Sequence, residues 1–177
     1  MKTLDDLLAS VRTVPDFPKK GIMFRDITTL LKDPAALAAA IDHLFEQYRN
    51  VRVDRVVGIE ARGFILGAPL AYRLGAGFVP ARKSGKLPAP ATRETYALEY
   101  GTDAVEIHND AIRTGDRVLL HDDLLATGGT MRATARIVER LGGTIVGYSF
   151  LIELAFLKGR ATLGKGEVFS LLTYDRE

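Results

Sequence analysis

From Arg55 onward, short apolar runs alternate with helical stretches, and this alternation restricts the fold more than any other feature of the chain. Arg55-Val-Val-Gly-Ile59 reads as a buried strand, Phe64–Leu74 as a helix closed by Gly75, and Phe78-Val79 as the start of another strand. Arg117–His121 is a further strand, followed by a Gly-rich turn and a helix from about Thr130 to Leu141. Gly142-Gly143 ends that helix, and Thr144–Ile152 and Val168–Thr173 read as the next strands. Strands separated by helices imply crossover connections, hence an α/β protein built on a mostly parallel sheet of about five strands flanked by helices. Sheets of this kind bind ligands outside the carboxyl ends of their strands.

Upstream, Thr3 followed by Asp5 and Asp6 marks a helix start, with Leu4, Leu7, Leu8 and Val11 at helical spacing and Pro15 as the stop. Two prolines and a glycine make Pro15–Gly21 a loop. A second helix opens at Asp33-Pro34, the acid as N-cap and proline in the first turn, and carries Leu37, Ile41, Leu44, Phe45 and Tyr48 on one face.

A chain of 177 residues fits a single domain, 1–177. It has no cysteine, which excludes disulfides, thiolate metal sites and cysteine nucleophiles. The 24 basic residues exceed the 22 acidic ones by only two and are scattered, so no basic face for nucleic acid is expected. The longest uncharged run, Leu141–Ile152, is twelve residues, against the roughly 18 that a membrane helix needs. The N-terminus is acidic and lacks an apolar segment of the secretory kind, so a cytoplasmic location and no membrane partner are expected.

One stretch breaks the rhythm. Residues of about 83–100 contain Gly85, Pro88 and Pro90, then the alternating run Tyr96-Ala-Leu-Glu-Tyr100. A long insertion inside a compact domain is usually functional or disordered. With Arg82, Lys83, Lys86 and Arg93 in or beside it, the expectation is a mobile active-site lid.

The segment richest in chemistry is Val118-Leu-Leu-His-Asp-Asp-Leu-Leu-Ala-Thr-Gly-Gly-Thr130. An apolar strand ends in two acids and then enters a helix through a small-residue turn. Ala126, Gly128 and Gly129 allow close backbone approach, Thr127 and Thr130 offer hydroxyls, and the free N–H groups of the new helix point at the same place, which makes an anion site of phosphate size. The segment has neither the Gly-Lys-Ser/Thr of a Walker loop nor a Gly-x-Gly-x-x-Gly. Asp122 and Asp123 are placed to accept from vicinal ribose hydroxyls, a reading that the turn behind them favours over simple turn capping.

This segment resembles the phosphoribosyl pyrophosphate (PRPP) motif of the type I phosphoribosyltransferases. Further blocks resemble the adenine branch of that family: Pro15-Asp-Phe-Pro18, Gly21-Ile-Met-Phe-Arg-Asp-Ile27, Gly58-Ile-Glu-Ala-Arg-Gly-Phe64, Arg82-Lys-Ser-Gly-Lys-Leu-Pro88, Tyr96–Tyr100 and Phe169-Ser-Leu-Leu172. Together they span nearly the whole chain.

The resemblance implies a type I phosphoribosyltransferase-like fold with a small N-terminal hood, about residues 1–35. It implies purine salvage by transfer of the 5-phosphoribosyl group from PRPP to N9 of adenine, giving AMP and pyrophosphate, with Mg2+ carried mainly by the substrate and no confident protein ligand for it. It also implies a homodimer. On this analogy Ala126, Thr127, Gly128, Gly129 and Thr130 hold the 5-phosphate, and Asp122 and Asp123 the ribose. Glu60, Ala61 and Arg62 match the pyrophosphate loop, with Arg62 neutralising the leaving group. Arg82, Lys83 and Lys86 resemble the basic residues that meet pyrophosphate when the lid closes, the alternative for any one of them being a solvated cation. Backbone groups around Met23 and Arg25 select adenine, while Phe24 is either a base contact or a core residue. Glu99 takes or orients the N9 proton on the lid, beside Tyr100.

His121 departs from the apolar residue usual before the acids; strand alternation points it away from Asp122 and into the core. His43 and His108 have no partner at ligand spacing and are expected to be structural. Two other functions remain in view. One is a sister enzyme for a 6-oxopurine or orotate; the other is a PRPP-sensing regulator that binds nucleic acid, for which the chain has no added helix-turn-helix.

Overall fold

The computed structural model describes residues 2–97 and 102–176. In chain order the elements are α1 (Leu4–Ser10), β1 (Arg12–Val14), β2 (Phe24–Asp26), α2 (Thr28–Leu31), α3 (Pro34–Tyr48), β3 (Arg55–Ile59), α4 (Gly63–Leu74) and β4 (Gly77–Lys83). They continue with β5 (Ala91–Ala97), β6 (Thr102–His108), β7 (Arg117–Leu125), α5 (Gly129–Arg140), β8 (Thr144–Leu154) and β9 (Glu167–Tyr174), with two short 3-10 turns between β8 and β9.

The helix signals act as the sequence predicts. Thr3 and Asp6 form a reciprocal capping box at the start of α1. Asp33 accepts from the backbone N–H groups of Ala35 and Ala36 at the start of α3. Gly75, at φ +66°, closes α4 in the left-handed conformation that glycine adopts without a Cβ penalty.

Seven strands form one sheet in the order β5-β6-β4-β3-β7-β8-β9. The five from β4 to β9 are mutually parallel, as expected. The other two, β5 and β6, add an antiparallel hairpin at one edge. That hairpin revises the reading of the interrupted stretch: β4 runs through Lys83, and Ala91–Ala97 is a regular edge strand rather than part of an unstructured insertion. Its strands pair from Ala91↔His108 to Ala97↔Thr102, and β6 joins the sheet through Arg82↔Glu106 and Lys83↔Val105 of β4, a pairing between separate segments that local patterning does not report.

Strand alternation sends side chains to two cores. Val56, Leu119 and Leu151 meet Leu44, Leu66 and Leu70 of α3 and α4. Val57, Leu120 and Phe150 meet Met131, Ala135 and Val138 of α5 on the other side. Each such side chain contributes about 1.5–3 kcal/mol by leaving water. The N-terminal segment forms a separate two-stranded ribbon of β1 and β2, paired Thr13↔Arg25 and Val14↔Phe24, beside α1 and α2. With both faces of the parallel strands covered by helices, their carboxyl ends are left to build a site.

Candidate active site

The acids lie at the carboxyl end of β7. Asp122 Oδ1 accepts from the Asp123 backbone N–H at 2.8 Å, and Asp123 Oδ2 pairs with Arg62 Nε at 2.9 Å. Burial, and then the neighbouring Asp123 charge, push the Asp122 carboxyl well above the usual range. Burial also raises Asp123, and the Arg62 charge offsets this only in part. Two carboxylates packed together cost free energy to ionise. A Cβ at Gly63 would come within 2.8 Å of Asp122 Oδ1 and 3.1 Å of the His121 carbonyl, so this glycine lets the start of α4 close on the acids.

Beyond the acids the chain turns into α5. Gly128 takes φ +83°, and no side chain caps the helix, leaving its first N–H groups free for an anion. Ala126, Thr127, Gly128, Gly129 and Thr130 line a cavity of about 90 Å³ together with Asp122. A second cavity of about 340 Å³ adjoins it, lined by Glu60, Ala61, Arg62, Lys83, Asp103, Asp122, Asp123 and Thr130, with Tyr96 of β5. A third, about 360 Å³ and mostly apolar, is lined by Val14, Phe17, Phe24, Asp26, Thr28 and again Arg62. Phe17 and Phe24 meet edge to face at 5.1 Å, and the Arg62 guanidinium stands 5.3 Å from the Phe24 ring centroid.

Glu60, on the wall of the second cavity, gathers basic residues from β4 and the turn after it. Its carboxylate accepts from Arg82 Nε at 3.2 Å, Lys86 Nζ at 2.9 Å and the Lys83 backbone N–H at 3.0 Å. Burial pushes this carboxyl up, but the hydrogen bonds from Lys86, Arg82 and Lys83 outweigh it and hold it at about 2. The placement makes Glu60 a tether for basic residues rather than a direct partner for an anion. Lys83 Nζ is itself 3.5 Å from Asp103 Oδ2.

A pH prediction follows from Glu60. Because its folded pKa lies below the unfolded value, its stabilisation is complete above the unfolded pKa and is lost as pH falls toward about 2. Glu60→Gln is therefore expected to lower the melting temperature at neutral pH, with the gap to the parent closing as pH drops from about 5 to about 2.5. Thermal denaturation across that range checks it; a gap that does not change with pH would rule out the tether as ionic.

The structure brings Asp122, Asp123, Ala126–Thr130, Glu60, Ala61, Arg62, Lys83 and Phe24 to these three cavities, while Arg82, Lys86, Met23 and Arg25 line none of them. Alternation along β2 turns Phe24 and Asp26 toward the apolar cavity. It turns Arg25 away, to stack 4.0 Å over the Tyr174 ring and donate to Thr13 Oγ1 at 2.5 Å. The Arg25 side chain is therefore structural, leaving only backbone there to meet a ligand. Met23 is half-buried just before β2. Glu99 and Tyr100 lie outside the described residues. His121 is buried as expected, its Nδ1 3.2 Å from Ser149 Oγ, and burial pushes its pKa down to about 4 so that it stays neutral. His43 Nε2 lies 3.1 Å from the Lys2 carbonyl.

Sequence reasoning missed Phe17, Tyr96 and Asp103 as lining residues. Phe17 stood in a proline loop with no periodicity, and Asp103 reaches the site only because β6 pairs with β4.

A parallel sheet whose central strand ends in an acid pair and a phosphate-sized turn, beside an apolar slot, defines a protein that handles a phosphorylated sugar and a flat partner. The chain belongs to the adenine phosphoribosyltransferase family, and residues 27–162 match the phosphoribosyl transferase domain. It is similar to adenine phosphoribosyltransferase of Solibacter usitatus, 60% identical over 173 residues that cover 98% of this chain and 100% of the relative. Among solved structures it is similar to adenine phosphoribosyltransferase of Rhodothermus marinus, at 55% identity and TM-score 0.92, covering 97% of this chain and 98% of the other. It also resembles the Saccharomyces cerevisiae enzyme complexed with adenine and an iminoaltritol bisphosphate, at 42% identity and TM-score 0.90, covering 96% and 98%.

Proposed function

We propose that the protein transfers the 5-phosphoribosyl group of PRPP to N9 of adenine, producing AMP and pyrophosphate in purine salvage. One observation carries this reading: Arg62 lines both the polar cavity beside the acid pair and the apolar slot beside Phe24, so sugar and base would meet at one guanidinium. The relatives named above favour adenine over a 6-oxopurine or orotate, and favour an enzyme over a regulator.

The 5-phosphate rests on Ala126–Thr130, where free helix N–H groups and two threonine hydroxyls donate to it. Asp122 and Asp123 accept from the ribose hydroxyls. The pyrophosphate lies along Ala61 and Arg62, and Arg82, Lys83 and Lys86, gathered by Glu60, reach it from the β4 side. As the C1–oxygen bond breaks, negative charge grows on pyrophosphate and Arg62 stabilises it where it develops. The new bond forms from N9 of an adenine stacked on Phe24. Glu99 receives or orients the N9 proton, with Tyr100 beside it in sequence. Backbone groups near Met23 and Arg25 read the 6-amino group.

Among the described residues no group of three or more His, Asp or Glu side chains gathers to hold a metal. The oxygen donors present, Asp122 and Asp123, fit a Mg2+ that arrives on substrate oxygens. When bound, it would supply charge neutralisation to the pyrophosphate. Among the described residues no helix is long and apolar enough to cross a membrane; we place the enzyme in the cytoplasm. A homodimer is part of the same proposal, supported by Ile65 and Tyr72, exposed at 44% and 84% on the outer face of α4.

The test is spectrophotometric: AMP formation from adenine and PRPP with Mg2+, alongside hypoxanthine, guanine and orotate. A site that hydrogen-bonds the 6-substituent should prefer adenine by about 10⁴ in kcat/KM. Turnover of another base alone would overturn the base assignment, and PRPP binding without turnover would restore the regulator. Glu99→Gln with unchanged turnover would remove Glu99 from the mechanism.

A further inference from the structure

The Ala126–Thr130 turn has a floor, and beside that floor lies an ion pair that lines none of the three cavities. Gly159, in the 3-10 turn Gly159–Thr162 between β8 and β9, packs directly beneath the turn. A Cβ on Gly159 would stand 2.2 Å from the Ala126 carbonyl, and one on Gly128 would stand 2.7 Å from the Gly159 carbonyl. The two backbones are thus in close contact from both sides. The next residue, Arg160, reaches back to the sheet. Its Nε donates to Glu153 Oε1 at 2.7 Å and its Nη2 to Glu153 Oε2 at 2.5 Å, a bidentate pair. Its Nη1 donates to the Val168 carbonyl at 2.7 Å, which adds β9 to the clamp. Glu153 is 3% exposed, near the end of β8, and therefore depends on this partner.

We propose that Glu153 and Arg160 are positioning residues for the 5-phosphate subsite, fixing the height of the Gly159 floor and so the curvature of the Ala126–Thr130 turn. The proposal rests on the reading of that turn as the PRPP phosphate site. Neither side chain lines the sugar or base cavities. Their loss should loosen PRPP binding while leaving adenine binding and the chemical step almost untouched. A merely structural pair would instead lower the active fraction, reducing kcat and leaving both KM values alone.

The experiment is steady-state kinetics on the full chain for the parent, Arg160→Ala, Arg160→Lys and Gly159→Ala, with melting temperatures. Arg160→Ala is expected to raise KM for PRPP about tenfold or more, with kcat within about threefold and KM for adenine unchanged. Arg160→Lys keeps the cation without the fork and should fall between parent and alanine. Gly159→Ala should give the same PRPP-specific defect with the ion pair intact. If Arg160→Ala fails to fold, Arg160→Lys and Gly159→Ala decide. The inference is overturned if the folded variants keep the parental PRPP KM, or if they lose kcat with neither KM changed. A parent that does not turn over PRPP would instead overturn the function proposed above.

Discussion

The Asp122→Asn/Asp123→Asn double variant is expected to lose about 10²–10⁴ of kcat/KM for PRPP and yet to melt higher than the parent. The loss follows from two charge-assisted hydrogen bonds to ribose hydroxyls at about 1.5–3 kcal/mol each, with about 1.4 kcal/mol per factor of ten. The gain in stability follows from the cost of ionising this pair. Asparagine is isosteric, and its Oδ1 can still accept the Asp123 backbone N–H that Asp122 accepts at 2.8 Å. Both acids have raised pKa values, chiefly through burial. A raised acid favours the fold below its unfolded pKa, and that contribution disappears as pH rises through the folded value. The parent should therefore lose stability with rising pH over a window that the double variant lacks. Such a trade, stability given up for a charged site, is common where function requires buried carboxylates. Initial rates with varied PRPP and melting curves from about pH 4 to 8 measure both halves. Activity within tenfold of the parent would end the assignment of these acids to the ribose.

Arg62→Ala should lower kcat by about 10²–10³, the range seen when one preorganised electrostatic contact to a transition state is removed. Its effect on stability should be opposite in sign to that of the acid pair. Arg62 is the counter-ion of the buried Asp123, so its removal leaves that carboxylate uncompensated. The two effects can be separated. In an Asp123→Asn background the stability penalty of Arg62→Ala should largely vanish, because no buried charge is left to strand, while the kcat penalty should persist. A kcat penalty that vanished together with the stability penalty would make Arg62 a scaffold for Asp123 and nothing more.

Much of the candidate site was legible because its geometry is local. The strand, acids, turn and helix from Val118 onward are contiguous, so one segment of sequence predicts the strand–turn–helix and the uncapped N-terminus of α5 that the structure shows. The Glu60–Arg62 block likewise follows directly on β3. What escaped is what pairing across the sheet supplies. The hairpin of β5 and β6, and with it Tyr96 and Asp103 at the cavity wall, depends on contacts that no periodicity in the Lys83–Tyr100 stretch encodes. Glu60 was read as an anion contact because its block matched; only its three donors reveal a tether. The expectation at Arg25 concerns its backbone, and it is the two-residue alternation in β2, together with the distant Tyr174, that decides where its side chain goes.

Local sequence signals carry the α/β class, the five parallel strands, the caps at Thr3, Asp33 and Gly75, and the small-residue turn into α5. Each rests on interactions within a few residues: alternation, capping hydrogen bonds, and glycine at positive φ. Tertiary structure alone decided how the cavities adjoin and that Arg62 stands between them. It also decided that Glu60 collects the cations and that Gly159 supports the turn from beneath. Those are contacts between segments far apart in the chain, fixed by the packing of helices on the sheet and by strand order. Local residue preferences carry no record of which distant backbone will fill the space beside them.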